Sequence, residues 1–203
     1  MNNFMEELKD ARVLVTGGSG FLGIHLIKKL REFGGVAEII TLQRGNKPTY
    51  EMAGVSHTVC DLSRPESEDV IQRLGNVDYV FNLAGLSDQR MPHSNPQELW
   101  DTNVTTLIHL TNGLNWSAVK GAVHIGTTAE YGNQEVPFRE NQCLKPTNLY
   151  GWSKVAATQF AIMMTQGGFA RWRVARQFTG YGPGQETGFI FDVARVLKQG
   201  ATF

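Results

Sequence analysis

The segment Arg12-Val13-Leu14-Val15-Thr16-Gly17-Gly18-Ser19-Gly20-Phe21-Leu22-Gly23 constrains this chain more than any other. Its first five residues form an apolar run of strand length. Glycines then fall at 17, 20 and 23, and from Ile24 to Phe33 the spacing is helical, with Leu22, Leu26, Ile27 and Leu30 on one face. A strand that turns on glycine straight into a helix is the opening of a βαβ unit. Gly17 permits the tight turn, Gly20 lets a pyrophosphate approach the backbone, and Gly23 lets helix and strand pack closely. The free N–H groups of Phe21, Leu22 and Gly23 at the helix mouth then face the anion.

The rest of the chain repeats the alternation. Gly34-Gly35 stops the first helix. Strands are expected at 37–42, 55–60, 77–83, 119–125 and 172–178. Helices are expected to open at Ser63-Arg64-Pro65-Glu66 and to cover 96–114 and 147–165. The run at 77–83 is almost continuously apolar, as in a strand buried on both faces. Such alternation implies an α/β fold: a Rossmann-like, doubly wound parallel sheet with right-handed crossovers. Residues 1–185 would form the dinucleotide-binding domain with the catalytic Tyr/Lys pair. Residues 186–203 would begin a second, substrate-holding region, most of which is absent, with one helix near Phe189 to Lys198. The loop at 131–146 is long and polar, a length that is often functional.

Charge and composition exclude several classes. Nineteen basic and nineteen acidic residues balance among 203, so no global field gathers nucleic acid or anionic lipid. The first eight residues lack a secretion signal, and no apolar run reaches the ~18 residues of a membrane helix. Cys60 and Cys143 make no disulfide scaffold, so the chain reads as cytoplasmic with reduced thiols. The five histidines show no metal-ligand spacing, and no metal is expected.

Four further places carry chemistry. Gln43 lies twenty residues past Gly23, where a carboxylate would grip the ribose of NAD. No carboxylate stands there, and Arg44 follows; a guanidinium matches a 2′-phosphate, which favours NADP over NAD. Asp61-Leu62 ends the third strand, where the carboxylate could accept the adenine amino group or serve as a turn residue. Tyr150 and Lys154 are one helical turn apart, and an ammonium beside a phenol favours phenolate. The hydroxyls of Gly126-Thr127-Thr128-Ala129-Glu130-Tyr131-Gly132 follow a strand and could bond a substrate oxygen.

In chain order, these segments are joined by Asn82-Leu83-Ala84-Gly85, Asn103-Val104 and Arg176-Gln177-Phe178-Thr179-Gly180-Tyr181-Gly182-Pro183-Gly184-Gln185. Together they resemble the NAD(P)-dependent epimerase/dehydratase family, extended short-chain dehydrogenases/reductases that modify nucleotide sugars. The resemblance implies that Tyr150 is the general base or acid. Lys154 would lower the pKa of that phenol and hold the nicotinamide ribose. Thr128, two before Glu130, is matched to the catalytic hydroxyl. Ala84 and Gly85 leave room beside the cofactor, and Asn103 is mainly structural. Helices carrying Asn103 and Tyr150 would pack across a homodimer.

Departures from the family pattern refine this expectation. Asn82-Leu83-Ala84-Gly85 stands where His-Leu-Ala-Ala is frequent, and Thr179 stands where an asparagine often holds the sugar nucleotide. Dehydratases often carry Asp-Glu after the catalytic threonine; Ala129 replaces that Asp, which ranks epimerase or reductase above dehydratase. The expected function is NADP(H)-dependent oxidoreduction of a nucleotide sugar. The alternative is a cofactor-binding module without turnover, serving as a sensor or completing another chain.

Overall fold

The computed structural model describes residues 6–45, 54–86, 95–186 and 188–200. The order of elements is β1 (Arg12–Thr16), α1 (Phe21–Phe33), β2 (Glu38–Gln43), β3 (Val55–Val59), α2 (Ser67–Arg73), β4 (Tyr79–Asn82), α3 (Pro96–Trp100), α4 (Thr106–Gly113), β5 (Gly121–Thr127), α5 (Leu149–Gln166), β6 (Trp172–Gln177) and α6 (Phe189–Lys198). The strands form one sheet in the order β3-β2-β1-β4-β5-β6, and every pairing is parallel. The order reverses beside β1, so the ligand crevice of such a sheet lies at the carboxyl ends of β1 and β4. This is the expected doubly wound α/β architecture.

Two apolar layers hold the sheet. Leu8, Val13, Val15, Ile27, Leu30 and Ile39 pack α1 on one face. On the other, Leu14, Ile40, Val80, Ala122 and Trp172 meet Ile71, Leu107, Leu110, Ala157 and Ala161 from α2, α4 and α5. Alternate residues of β1 therefore serve both layers, as the pleat requires. Each fully buried Leu or Ile contributes about 1.5–3 kcal/mol.

The expected helix at 96–114 is interrupted. A π-helical turn at Asp101–Thr105 separates α3 from α4. The wider turn carries Asn103 inward. There Asn103 accepts from the Leu86 amide at 2.9 Å and donates to Ser153 Oγ at 2.9 Å. One side chain thus ties the loop after β4 to α5, and π turns concentrate where a side chain must be re-aimed. The second helix also starts later than its Ser63/Pro65 signal predicts. Asp61 Oδ1 accepts from both the amide and the hydroxyl of Ser63, at 3.0 and 2.7 Å. That local turn competes with helix, and α2 begins at Ser67.

Candidate functional site

The glycine turn is sterically closed around its own backbone. Gly17 has φ +67°, and a Cβ there would lie 2.7 Å from the Leu83–Ala84 peptide. A Cβ at Gly23 would strike the Gly17 carbonyl. Gly20 caps α1 in an extended conformation with no side-chain partner. Phe21 and Leu22 then open the helix with their amides at its mouth. Beneath the turn, Ala84 N–H donates to Thr16 Oγ1 at 3.1 Å, and Thr16 donates to Asn82 Oδ1 at 2.6 Å. Asn82 Nδ2 meets His124 Nδ1 at 2.9 Å. This buried chain fixes the ends of β1, β4 and β5 relative to one another. Burial and the nearby Lys154 charge hold the His124 pKa well below its usual value, so the ring is neutral.

The Tyr/Lys pair sits on the first turns of α5. Asn148 caps that helix by accepting the Gly151 amide at 2.7 Å. A Cβ at Gly151 would lie 2.7 Å from the Ala129 carbonyl, so only glycine lets α5 approach the 3-10 turn Thr128–Glu130 this closely. The approach brings the Tyr150 phenol beside the Thr127 side chain, close enough that Thr127 pulls the phenol pKa down. Tyr150 is 8% exposed and Lys154 3%. Lys154 Nζ donates to the Ile125 carbonyl at 2.6 Å. It also lies near Gly85, whose Cβ would be 3.8 Å from Nζ and 3.0 Å from Asn103 Oδ1.

The hydroxyl beside Tyr150 is that of Thr127, one residue before the threonine expected from the resemblance. Thr128 instead starts the 3-10 turn, and its carbonyl accepts the Tyr131 amide at 3.0 Å. The displaced register has a signal in the sequence. Thr127-Thr128-Ala129-Glu130 has capping-box spacing, and the box forms: the Thr127 side chain accepts at the turn, while Glu130 Oε1 accepts the Thr127 amide at 2.9 Å. The other oxygen of Glu130 pairs with Arg176 Nε at 2.8 Å, and Glu130 has no exposed surface. The ion pair binds the site to β6.

The expected lowering of the phenol pKa by Lys154 does not appear. Burial raises the Tyr150 pKa, the Thr127 hydrogen bond pulls it back, and the Glu130 charge pushes it up. Burial brings Lys154 down to about 8, against a smaller upward pull from Glu130. At neutral pH the ammonium form still predominates.

The remaining expected residues line the same edge. Arg44 follows β2 with its side chain exposed, close enough that its charge lowers the Asp61 pKa. The Asp61 pKa is opposed by burial and lowered chiefly by the Ser63 hydrogen bonds. Leu62 is buried beneath it. The structure thus brings Gly17, Gly20, Phe21, Leu22, Gly23, Ala84, Gly85, Tyr150 and Lys154 to one carboxyl edge, with Arg44, Asp61 and Leu62 at its β2–β3 end. Among the described residues, no three His, Cys, Asp or Glu side chains group around a point, and no helix is long and apolar enough to cross a membrane.

Comparison with known proteins agrees with this geometry. A UDP-glucose 4-epimerase of Dictyostelium discoideum is 28% identical over 161 residues, 74% of this chain and 46% of that protein. A dTDP-6-deoxy-L-talose 4-dehydrogenase (NAD(P)(+)) of Kitasatospora kifunensis is 32% identical over 180 residues, 86% of this chain and 54% of the relative. The solved structure of MoeE5 with UDP-glucuronic acid and NAD superposes with a TM-score of 0.78 at 30% identity, covering 91% of this chain and 60% of that one. This chain spans about half the length of the curated relatives it matches. The family model described as NAD dependent epimerase/dehydratase matches residues 13–203, and the chain belongs to that enzyme family.

Proposed function

We propose that this chain is the dinucleotide-binding, proton-transferring half of an NADP(H)-dependent oxidoreductase acting on nucleotide sugars. The observation that carries the reading is the buried Tyr150 phenol, beside Thr127 and one turn from Lys154, at the same edge as the glycine turn. The residues fit a dinucleotide. Glycine at 17 and 23 lets the turn pack directly on the Leu83–Ala84 peptide and on its own backbone, and the amides behind Gly20 are donors suited to pyrophosphate. The MoeE5 structure, which holds NAD and a UDP sugar, supports the same assignment.

When bound, the dinucleotide supplies two-electron oxidation or reduction of a sugar carbon. Tyr150 Oη takes the proton of the reacting sugar hydroxyl and returns it in the reverse step. Thr127 orients that proton through its hydrogen bond. Lys154 holds the nicotinamide ribose and offers a positive charge beside the phenolate as it forms. The buried Glu130–Arg176 pair keeps the Thr127 turn rigid. Eliminating water needs an acid that protonates the leaving hydroxyl. Thr128 and Ala129 follow Thr127, and neither is an acid, while Glu130 is committed to Arg176. This supports epimerase or reductase chemistry over dehydration.

Preference for NADP rests on Arg44 beside Gln43. Asp61 competes for the same guanidinium, so the preference is modest. The residues of the neighbouring helices support a homodimer: Pro96, Leu99, Trp100, Leu149, Trp152 and Val155 line an apolar pocket of about 340 Å³ between α3 and α5. Trp100 and Trp152 are 48% and 59% exposed. A module without turnover is the second reading, which the similarity to enzymes does not favour. Fluorescence titration with NADPH and NADH, followed by turnover assays with UDP- and dTDP-sugars, separates the readings. Tight dinucleotide binding with no turnover by a full-length form would favour the module.

A further inference from the structure

We propose that His25 is a positioning residue that bolts the chain following β6 across the carboxyl edge, so that dinucleotide exchange is governed by the contact between His25 and Pro183. The inference rests on the dinucleotide reading above and deepens it.

Gly182-Pro183-Gly184-Gln185 forms a β-turn, closed by the Gln185 amide on the Gly182 carbonyl at 3.2 Å. Proline in its second position and Gly184 at φ +84° in its third make the turn type II. In that geometry the middle carbonyl takes no part in the turn's own hydrogen bond. Here it belongs to Pro183, and His25 Nε2 meets it at 2.8 Å. A carbonyl only accepts, so the proton of His25 lies on Nε2. The histidine ring is steadied in turn. Phe21, one helical turn earlier on α1, packs edge-to-face on it with centroids 5.0 Å apart. Gly182 sits on Phe21, where a Cβ would be 3.5 Å from the ring.

Topology gives this contact its reach. β6 ends at Gln177, and three strand spacings, about 14 Å, separate it from β1 and the start of α1. The six residues 178–183 can span roughly 20 Å. All strands are parallel, so this strap runs along the carboxyl edge past the ends of β5 and β4, where Thr127, Ala84 and Gly85 lie. Its own side chains add little burial: Phe178 and Tyr181 are 58% and 69% exposed. The far end is anchored on α1 by His25 and Phe21. A dinucleotide extending from the glycine turn towards Tyr150 must share that edge with the strap, and releasing Pro183 opens it.

The test compares the wild-type chain with His25→Ala, which removes the donor, and His25→Gln, which keeps a side-chain N–H of similar reach. Hydrogen exchange in the unliganded protein should rise about five- to tenfold across 178–186 in His25→Ala, the range expected for one lost hydrogen bond, with the sheet unaffected. Stopped-flow mixing with NADPH should show association and dissociation both faster by about the same factor, with Kd changed less than threefold. His25→Gln should stay within threefold of wild type in both measurements. Unchanged exchange and rates in His25→Ala would overturn the bolt, and His25→Gln behaving like His25→Ala would overturn a donated hydrogen bond as its basis. If neither NADPH nor NADH binds the wild-type chain, the dinucleotide reading fails, and exchange alone then decides whether the bolt exists.

Discussion

Glu130 and Arg176 form an ion pair 2.8 Å long from which water is almost wholly excluded: the acid has no exposed surface, and the arginine side chain is 14% exposed. Arg176 also donates to the Tyr131 hydroxyl at 3.3 Å, and its guanidinium lies 5.2 Å from the centre of that ring. Glu130 in turn holds the Thr127 amide. One carboxylate therefore connects β6, the 3-10 turn and the hydroxyl that meets Tyr150.

Removing one partner of such a pair strands the other charge without water. Glu130→Ala should destabilise the fold by about 3–5 kcal/mol in urea denaturation. Glu130→Ala with Arg176→Met should cost clearly less than the sum of the single changes. Additive losses would mean that the two side chains stabilise the fold independently.

The register of the threonines makes a sharper test. Thr127→Val removes the hydroxyl beside Tyr150 while keeping its shape. It should lower turnover of a nucleotide sugar by about 10²–10³-fold in a form of the protein that turns over, since one preorganised donor contributes on that scale. Thr128→Val should stay within about fivefold of the parent. Tyr150→Phe should abolish turnover and leave dinucleotide affinity within a few-fold, because the phenol moves the proton and holds no phosphate. Comparable losses in the two threonine variants would refute the assignment to Thr127.

Lys154 predicts a pH dependence of stability. Its pKa falls from 10.5 to about 8 on folding, because burial disfavours the ammonium. Between those values the unfolded chain binds more protons than the folded one, so this residue makes stability rise with pH from about 8 to 10.5. Below pH 8 the burial cost is present in full, about 3 kcal/mol. Cys60 acts the other way: burial lifts its pKa to about 11, which favours unfolding as pH rises above 9. Comparing the wild-type chain with Lys154→Met cancels Cys60. The wild type should gain stability relative to the variant as pH rises from 8 to 10.5, and a difference that stays flat across that window would contradict the buried-ammonium account.

Cofactor choice is read from Arg44. If its guanidinium pairs with a 2′-phosphate, Arg44→Ala should weaken NADPH by about 1–3 kcal/mol and leave NADH almost unchanged. Equal affinity of the unmodified chain for NADPH and NADH would remove the preference.

The sheet was legible because its signals are local. Apolar runs such as Val13-Leu14-Val15 can only be strands in this alternation, and glycine at 23 answers to a clash with Gly17 and Gly18 a few residues away, while Gly17 takes a φ of +67°. The position of Tyr150 over Lys154 follows from helical spacing alone. Thr127 and Thr128 are chemically identical in the sequence, and it is where α5 meets the 3-10 turn that brings Thr127 beside Tyr150. The break at Asp101–Thr105 was hidden for a similar reason: the apolar spacing of 96–114 suits a continuous helix, and only the tertiary pull on Asn103 from Leu86 and Ser153 widens the turn. His25 carries no signal in the sequence beyond its lack of metal-ligand spacing, since its partner lies 158 residues away.

The final prediction concerns what this length of chain does alone. The residues assigned to the cofactor stand together: the glycine turn, Arg44, Asp61, Gly85, Thr127, Tyr150 and Lys154 lie at the carboxyl edge of the sheet. The substrate side is not comparably enclosed. Among the described residues β6 pairs only with β5, leaving its other edge open. Tyr131, Phe138, Arg176 and Phe178 border a cavity of about 810 Å³ beside that edge. On α6, Phe189 and Leu197 are 75% and 57% exposed. A site open to water loses both substrate positioning and the electrostatic strength of a dry interior. The 203-residue chain should therefore bind the dinucleotide at micromolar concentrations yet turn over UDP- or dTDP-sugars at least about 10²-fold more slowly than a chimera extended by the portion of the Kitasatospora relative that lies beyond the match. The chimera should also show less exposed apolar surface, read as lower binding of a hydrophobic dye. Turnover by the unextended chain that equals the chimera's would place the whole substrate site within these residues and overturn this division of labour.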